Sequence, residues 1–263
     1  MKSREFPENR SRLTMRIVLL LFASLLVNCA SGQKSMKDSV VNFALLSPSY
    51  SMLIPAADLS QRFGVFNSIG ASISYKTKTN WIIGLKPSFQ FGNQVREDTM
   101  LDFLKDSEGR ILGSDGRYGD LIFDQRGFTI DASVSRMIFK VGPNPNCGLF
   151  LEAGFGYWQH RIRVRELASK FPLLEGEYSI GFDRLTSGLM VSERVIYRYF
   201  SNSRLVNFFV GIELNQGFTE GRRSYQYDMK AAYDASRLDL SYGLCLGWSF
   251  PIYKRAPKEF YYE

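Results

Sequence analysis

Through eight segments of this chain, apolar residues recur at every second position, and the connections between segments alternate between short and long. The short connections are KTKTN (76–80), GPNPNC (142–147) and SNSR (201–204), and between them run stretches of roughly 12 to 35 residues. A two-residue period sends successive side chains to opposite faces of a strand, whereas a helix would scatter them around its circumference. Tight turns at one end and longer loops at the other are the layout of a membrane barrel. The expected fold is all-β: an eight-stranded antiparallel transmembrane β-barrel with short periplasmic turns and long extracellular loops.

The last segment shows the pattern most plainly. Leu238, Leu240, Tyr242, Leu244, Leu246, Trp248, Phe250 and Ile252 alternate with Asp239, Ser241, Gly243, Cys245, Gly247, Ser249 and Pro251. Large apolar residues on one face and small or polar ones on the other suit a lipid-facing wall around a narrow lumen. The same alternation marks segments near 68–75, 81–91, 128–135, 149–158 and 206–215. Segments near 40–54 and 185–200 each carry an exception. Pro48 would interrupt a ladder unless a bulge absorbs it. Glu193 falls on the apolar face made by Leu189, Val191, Val195 and Tyr197, so either a bulge shifts the register there or the residue meets a partner protein; a bulge is expected.

Outside the N-terminus no run of 18 apolar residues occurs, which excludes the usual α-helical membrane protein. The N-terminus reads as an export signal over residues 1–32. Arg10, Arg12 and Arg16 precede the apolar stretch Ile17–Val27, and Ala30-Ser31-Gly32 supplies small residues before a cleavage at Gln33. Met15 is an alternative start. Cys29 is an alternative lipid anchor, but Asn28 stands where a lipobox takes a small residue. Residues 33–263 then form a single barrel domain. Losing residues 1–32 removes five positive and two negative charges, so the formal charge falls from +7 to +4. That value does not call for nucleic acid. Cys147 and Cys245 remain, on non-adjacent strands at different depths, and are expected as free thiols.

The inward positions include Lys86, Asp131, Glu152, Arg194, Arg198, Glu213 and Asp239. Eight-stranded barrels are narrow enough for side chains to fill them. Buried charges of both signs need partners, so a hydrogen-bonded plug is expected, with an ion path or small pore as the alternative. Inward Phe150, Trp158 and Phe209 also argue for a filled lumen. In the longest connection, about 93–126, Val95, Met100, Leu101 and Leu104 fit one face of a short helix, and SEGRILGSDGRYGD contains a hairpin signal. Its SDGRYGD portion lacks the closing acidic residue of a calcium loop. Where the fifth strand leaves the membrane, Arg161, Arg163 and Arg165 alternate with Ile162 and Val164. They form either one wet face of a protruding strand or a basic ridge for lipopolysaccharide phosphate or an acidic partner.

No CxxC, HExxH, GxSxG or phosphate-loop motif is present. The single histidine, His160, has no nucleophile fixed beside it by any motif. No catalytic residue, cofactor or metal ligand is therefore expected.

The stretches YKTKTNWIIGL, FGNQVRED, GFGYWQHRIRV, GFDRLTSGL, LVNFFVGIELNQGF and YKRAPKEFYY resemble small outer-membrane β-barrel proteins of Bacteroidota, eight-stranded and OmpA/OmpW-like. The resemblance spans most of the mature chain and implies outer-membrane location and an envelope role. It carries over no catalytic or binding residue. The leading expectation is a non-enzymatic structural or accessory subunit of an outer-membrane complex, either the barrel-assembly machinery or the type IX secretion and gliding apparatus. Expected partners are outer-membrane lipid, lipopolysaccharide and other outer-membrane or periplasmic proteins. Its loops and a basic periplasmic rim (Lys76, Lys78, Lys140, Lys254, Arg255, Lys258) would be the contact surfaces. A small-solute channel and a lipid-modifying enzyme are the alternatives.

Overall fold

Eight long strands pair in chain order, each antiparallel to the next: β1 (Phe43–Ala57), β2 (Phe66–Lys76), β3 (Trp81–Gly92), β4 (Tyr118–Lys140), β5 (Gly148–Leu167), β6 (Thr186–Phe200), β7 (Asn207–Gly221) and β8 (Ser236–Trp248). β1 also pairs β8, from Ser49↔Gly247 to Ala57↔Asp239, and this closes the sheet into a barrel. The computed structural model describes residues 39–253 except 98, 109, 168–170, 172–173, 175 and 204. The predicted signal segment 1–32 with Cys29, the cleavage position at Gln33, and Lys254, Arg255 and Lys258 lie outside the described residues. The chain divides into a unit of Ser35–Pro251 and one of Met1–Lys34 with Ile252–Glu263; the barrel is the first.

The two-residue period places the side chains as the alternation predicts. Ile69, Ile73, Ile83, Leu85, Phe155, Ile212, Leu244 and Leu246 are exposed on the outer wall, while Ser47, Ser51, Gln90, Thr129, Ser192 and Ser241 are buried inside. An apolar exterior around a polar, filled interior inverts the arrangement of a water-soluble barrel and is that of a membrane-spanning one. Aromatic residues mark the belt's edge at the short-turn end. Trp81 lies under the Arg136 guanidinium (5.1 Å), Tyr199 stacks on Phe208 (5.1 Å), and Phe139 and Trp248 are exposed.

The bulge expected at Glu193 is absent. The β5–β6 and β6–β7 registers run unbroken through Glu193, which pairs Ala153 on one side and Leu214 on the other. Glu193 therefore stays exposed on the outer, apolar face. Pro48 keeps its register with Ala71 of β2. On its other side the β1–β8 register reaches only to Ser49↔Gly247, and the pairing of β1 resumes with the short strand that begins at Phe250, so the ladder is interrupted beside the proline. The one register shift among the barrel pairings described falls between Met137 and Phe139, in β4–β5.

β4 and β5, at 23 and 20 residues, are about twice as long as a tilted spanning strand needs. They project past the belt at the long-loop end and shorten the loops that follow β3 and β5. The predicted hairpin forms there, with Ile111↔Gly119 and Leu112↔Tyr118. The predicted short helix is a 3-10 segment, Thr99–Leu104, kinked at Leu101. Its Met100 and Leu101 drop into the barrel mouth against Phe63, Phe66, Trp158 and Ile162, with Val95 and Leu104 packed behind them.

The short turn after β4 folds into the other end of the lumen. Asn144 donates from Nδ2 to the Phe200 carbonyl (2.5 Å). Asn146 Oδ1 accepts from the Lys76 ammonium (2.9 Å) and from Val41 N–H (3.0 Å). Phe43 meets Phe200 edge to face (5.4 Å), and the Lys76 Nζ lies 5.4 Å from the Phe43 ring centre. Lys76 is thus fully buried and not a rim residue, because its chain completes this seal; Lys78 and Lys140 are exposed. Cys147 and Cys245 are both free and buried.

Candidate functional site

Strand register assembles a layer of charge across the middle of the lumen. Lys86 pairs Asp131 across β3–β4, Glu152 pairs Arg194 across β5–β6, and Arg194 pairs Glu213 across β6–β7. Directly opposed residues on one face are within side-chain reach, so register brings Arg194 to Glu152 and Glu213, while Arg194–Asp131 and Lys86–Glu213 pair across the lumen. Arg194 sits at the centre. Nη1 lies 2.9 Å from Asp131 Oδ2 and 2.8 Å from Glu152 Oε1, Nη2 lies 2.9 Å from Asp131 Oδ1, and Nε lies 3.5 Å from Glu213 Oε2. Lys86 reaches across to Glu213 (3.1 Å), and Arg198 adds a contact to Glu152 (3.2 Å) while its guanidinium lies 5.0 Å from the Phe209 ring centre.

Three cations face three carboxylates, so the layer is neutral, as burial requires, although Arg194 Nε and Arg198 Nε and Nη1 make no hydrogen bond within it. Glycine makes the room: a Cβ on Gly154 would come within 2.8 Å of Asp131 Oδ2 and 2.5 Å of Ser192 Oγ. The cavity beside the layer, lined by Ser49, Ser74, Lys86, Arg198 and Phe209, measures about 20 Å³. That is room for about one water molecule.

Of the predicted lumen residues, Lys86, Asp131, Glu152, Arg194, Arg198 and Glu213 come together here. Asp239 does not. It pairs Gly217 on β7, four residues nearer the mouth than Glu213. There it accepts from Thr219 Oγ1, contacts His160 Nε2 (2.8 Å) and approaches Arg237 Nε (3.3 Å). His160 is fully buried, edge-on to Phe63 (5.6 Å) and Trp158 (5.9 Å). No hydroxyl among the described residues hydrogen-bonds its ring.

Above this lies a second network that the period-two reading did not find, because its members sit in loops. Arg62, in the short helix α1 (Asp58–Arg62), donates to Glu97 (2.9 Å), to the Arg184 carbonyl (3.2 Å), to Thr186 Oγ1 (3.0 Å) and to the Tyr233 hydroxyl. Arg184 takes the other oxygen of Glu97 (2.7 Å) and reaches Asp228 (3.0 Å) and Gln226 (3.0 Å). All four mouth loops therefore meet at two buried arginines. Burial alone would raise the Glu97 carboxyl, but the Arg62 and Arg184 guanidiniums outweigh it and hold Glu97 below the ordinary carboxylate range. An Arg in α1 and a Glu after β3 offer no pattern in sequence; only the hint that aromatic, Arg-rich loops fold was legible.

The Arg161, Arg163 and Arg165 ridge lies on the outer wall of β5, and Arg126 of β4 joins it, directly opposite Arg161. Asp124 is shared by Arg126 (3.3 Å) and Arg165, and Arg161 lies 3.7 Å from Asp183, which also binds Arg223 at 2.5 Å. Arg163 has no ion pair or hydrogen bond among the described residues, and no three His, Cys, Asp or Glu side chains there converge as a metal site would need.

No protein-family model matches the chain, and no curated protein sequence does. Among solved structures it is similar to Ail, the attachment invasion locus protein of Yersinia pestis, solved in complex with the heparin analogue sucrose octasulfate. The identity is 9%, 80% of this chain and 99% of that one are covered, and the TM-score is 0.43. It is also similar to Neisserial surface protein A, at 11% identity over 79% of this chain and 96% of that one, with a TM-score of 0.43.

Proposed function

We propose that this chain is an exported outer-membrane barrel of the Bacteroidota type. In this reading it is a non-enzymatic structural or accessory subunit of an outer-membrane protein complex, in the barrel-assembly or the type IX secretion and gliding machinery. The observation that carries the proposal is Glu193. It lies six residues from Ser187 and six from Tyr199 on β6, which is roughly 15 Å from either end at about 3.3 Å per residue and about 40° of tilt. That is the middle of the apolar belt, where an ionisable side chain is costly and marks a functional contact. No ion pair or hydrogen bond within the described residues satisfies it, and its neighbours in register are Ala153 and Leu214. A second transmembrane element with a donor or cation at this depth would satisfy it.

A sealed interior supports a scaffold over a channel. The lumen is closed by the charge layer, by the turn 141–147 and by the arginine-tied mouth. The burial of His160 supports a role without catalysis. The test is native purification: a C-terminal tag, mild detergent, and measurement of mass and co-purifying proteins. A complex of several hundred kilodaltons that dissociates on Glu193→Leu is the expected result. A lone barrel in detergent, unchanged by that substitution, would overturn the reading.

A further inference from the structure

We infer that Arg126, Arg161 and Arg163 form a binding site on the outer wall of β4 and β5 for the phosphate group of an acylated sugar lipid in the surrounding leaflet. The inference rests on the outer-membrane reading above. Arg126 and Arg161 are directly opposed across β4–β5 on the same outward face. Like charges in that position destabilise a sheet, and an anion between them reverses the sign of the interaction. Two carboxylates serve the four arginines of the ridge, and both are shared: Asp124 by Arg126 and Arg165, and Asp183 by Arg161 and Arg223. The patch is therefore left net positive, with Arg163 unpaired among the described residues and exposed.

Height decides what kind of anion fits. Immediately below Arg126 and Arg161 stand Phe128, opposite Gln159, and then Ile130, opposite Tyr157. To the side, Phe91 pairs Arg126. Exposed Phe128 and Phe89 belong to the lipid-facing belt. The guanidiniums thus begin within two residues of the apolar wall, where acyl chains end and headgroup phosphates start. A free phosphate or a soluble polyanion would have no use for the adjoining aromatic wall. A phosphate carried on acyl chains would use both, with the planar guanidiniums giving paired, charge-assisted hydrogen bonds.

The test uses the full chain reconstituted in phosphatidylcholine nanodiscs doped with lipid A, either bis-phosphorylated or fully dephosphorylated. Retained lipid is read by native mass spectrometry. The expected result is preferential retention of the phosphorylated form. In the Arg161→Gln/Arg163→Gln double variant that retention should fall at least about tenfold, the loss of roughly one charge-assisted hydrogen bond. A Lys78→Gln/Lys140→Gln control at the opposite end should leave it unchanged. Equal retention of the dephosphorylated lipid, equal retention by the double variant, or displacement by inorganic phosphate at matched concentration would each overturn the inference. A barrel that inserts but shows no phosphate preference removes this site and leaves the outer-membrane reading standing. Failure to insert into any bilayer removes both.

Discussion

Glu97 Oε1 lies 2.7 Å from Arg184 Nε, tying the loop after β3 to the loop after β5. The second oxygen of the same carboxylate holds Arg62, so one side chain fixes the geometry of the barrel mouth. Glu97→Gln takes from Arg62 its one carboxylate partner among the described residues and leaves Arg184 with Asp228 alone. Because Glu97 is about a third exposed, the cost is discounted to about 1–3 kcal/mol. Limited proteolysis should show earlier cleavage in the loops, while far-ultraviolet circular dichroism of the barrel stays unchanged.

The same carboxylate predicts an acid response of the mouth. The folded pKa of Glu97 is held below its ordinary value of 4.5. Its contribution is therefore fully present above that value and is lost as pH falls through the lower folded one. Amide exchange in the loops around Glu97 and Arg184 should accelerate below about pH 4, and Glu97→Gln should flatten that dependence.

At the centre of the lumen, Arg194→Met strands Asp131, Glu152 and Glu213 without their shared cation. Breaking a buried pair from one side costs about 3–5 kcal/mol. The temperature at which the folded barrel loses its compact migration on gel electrophoresis should drop accordingly. A variant as heat-resistant as the parent would show that the layer contributes little.

Gly154→Ala tests packing rather than charge. The new methyl would press on Asp131 Oδ2 and Ser192 Oγ, and overpacking of this kind costs about 1–3 kcal/mol. The same thermal assay should register it, and Gly116→Ala offers a control in open space that probes backbone strain alone, since its φ is +74°.

A sealed lumen predicts the electrical behaviour. With a cavity of about 20 Å³ beside the charge layer, the reconstituted barrel should show no steady single-channel steps in planar bilayers. Regular steps that change on Lys86→Ala or Glu213→Ala would mean that the layer opens.

Sequence alone determined the architecture and most of the lumen. Leu238 to Trp248 alternates so strictly that the inward face of β8 could be read directly. Where every second residue faces inward, Lys86, Asp131, Glu152, Arg194 and Glu213 are named as lumen charges by position alone. The alternation also predicted which way Glu193 points, but not whether a bulge would rescue it. Register is a property of two strands, and only the paired neighbours Ala153 and Leu214 settled it.

The tertiary structure decided which charges meet. Asp239 shares a face with Glu213 but sits four residues higher, with His160. Lys76 reads as a surface lysine until the turn 141–147 folds over it. Arg62, Glu97, Arg184 and Asp228 converge only because four loops close over one mouth. A two-residue period is local and survives in one dimension. Cross-lumen pairing and loop closure depend on strand stagger and on the path of the chain in space, which no single segment encodes.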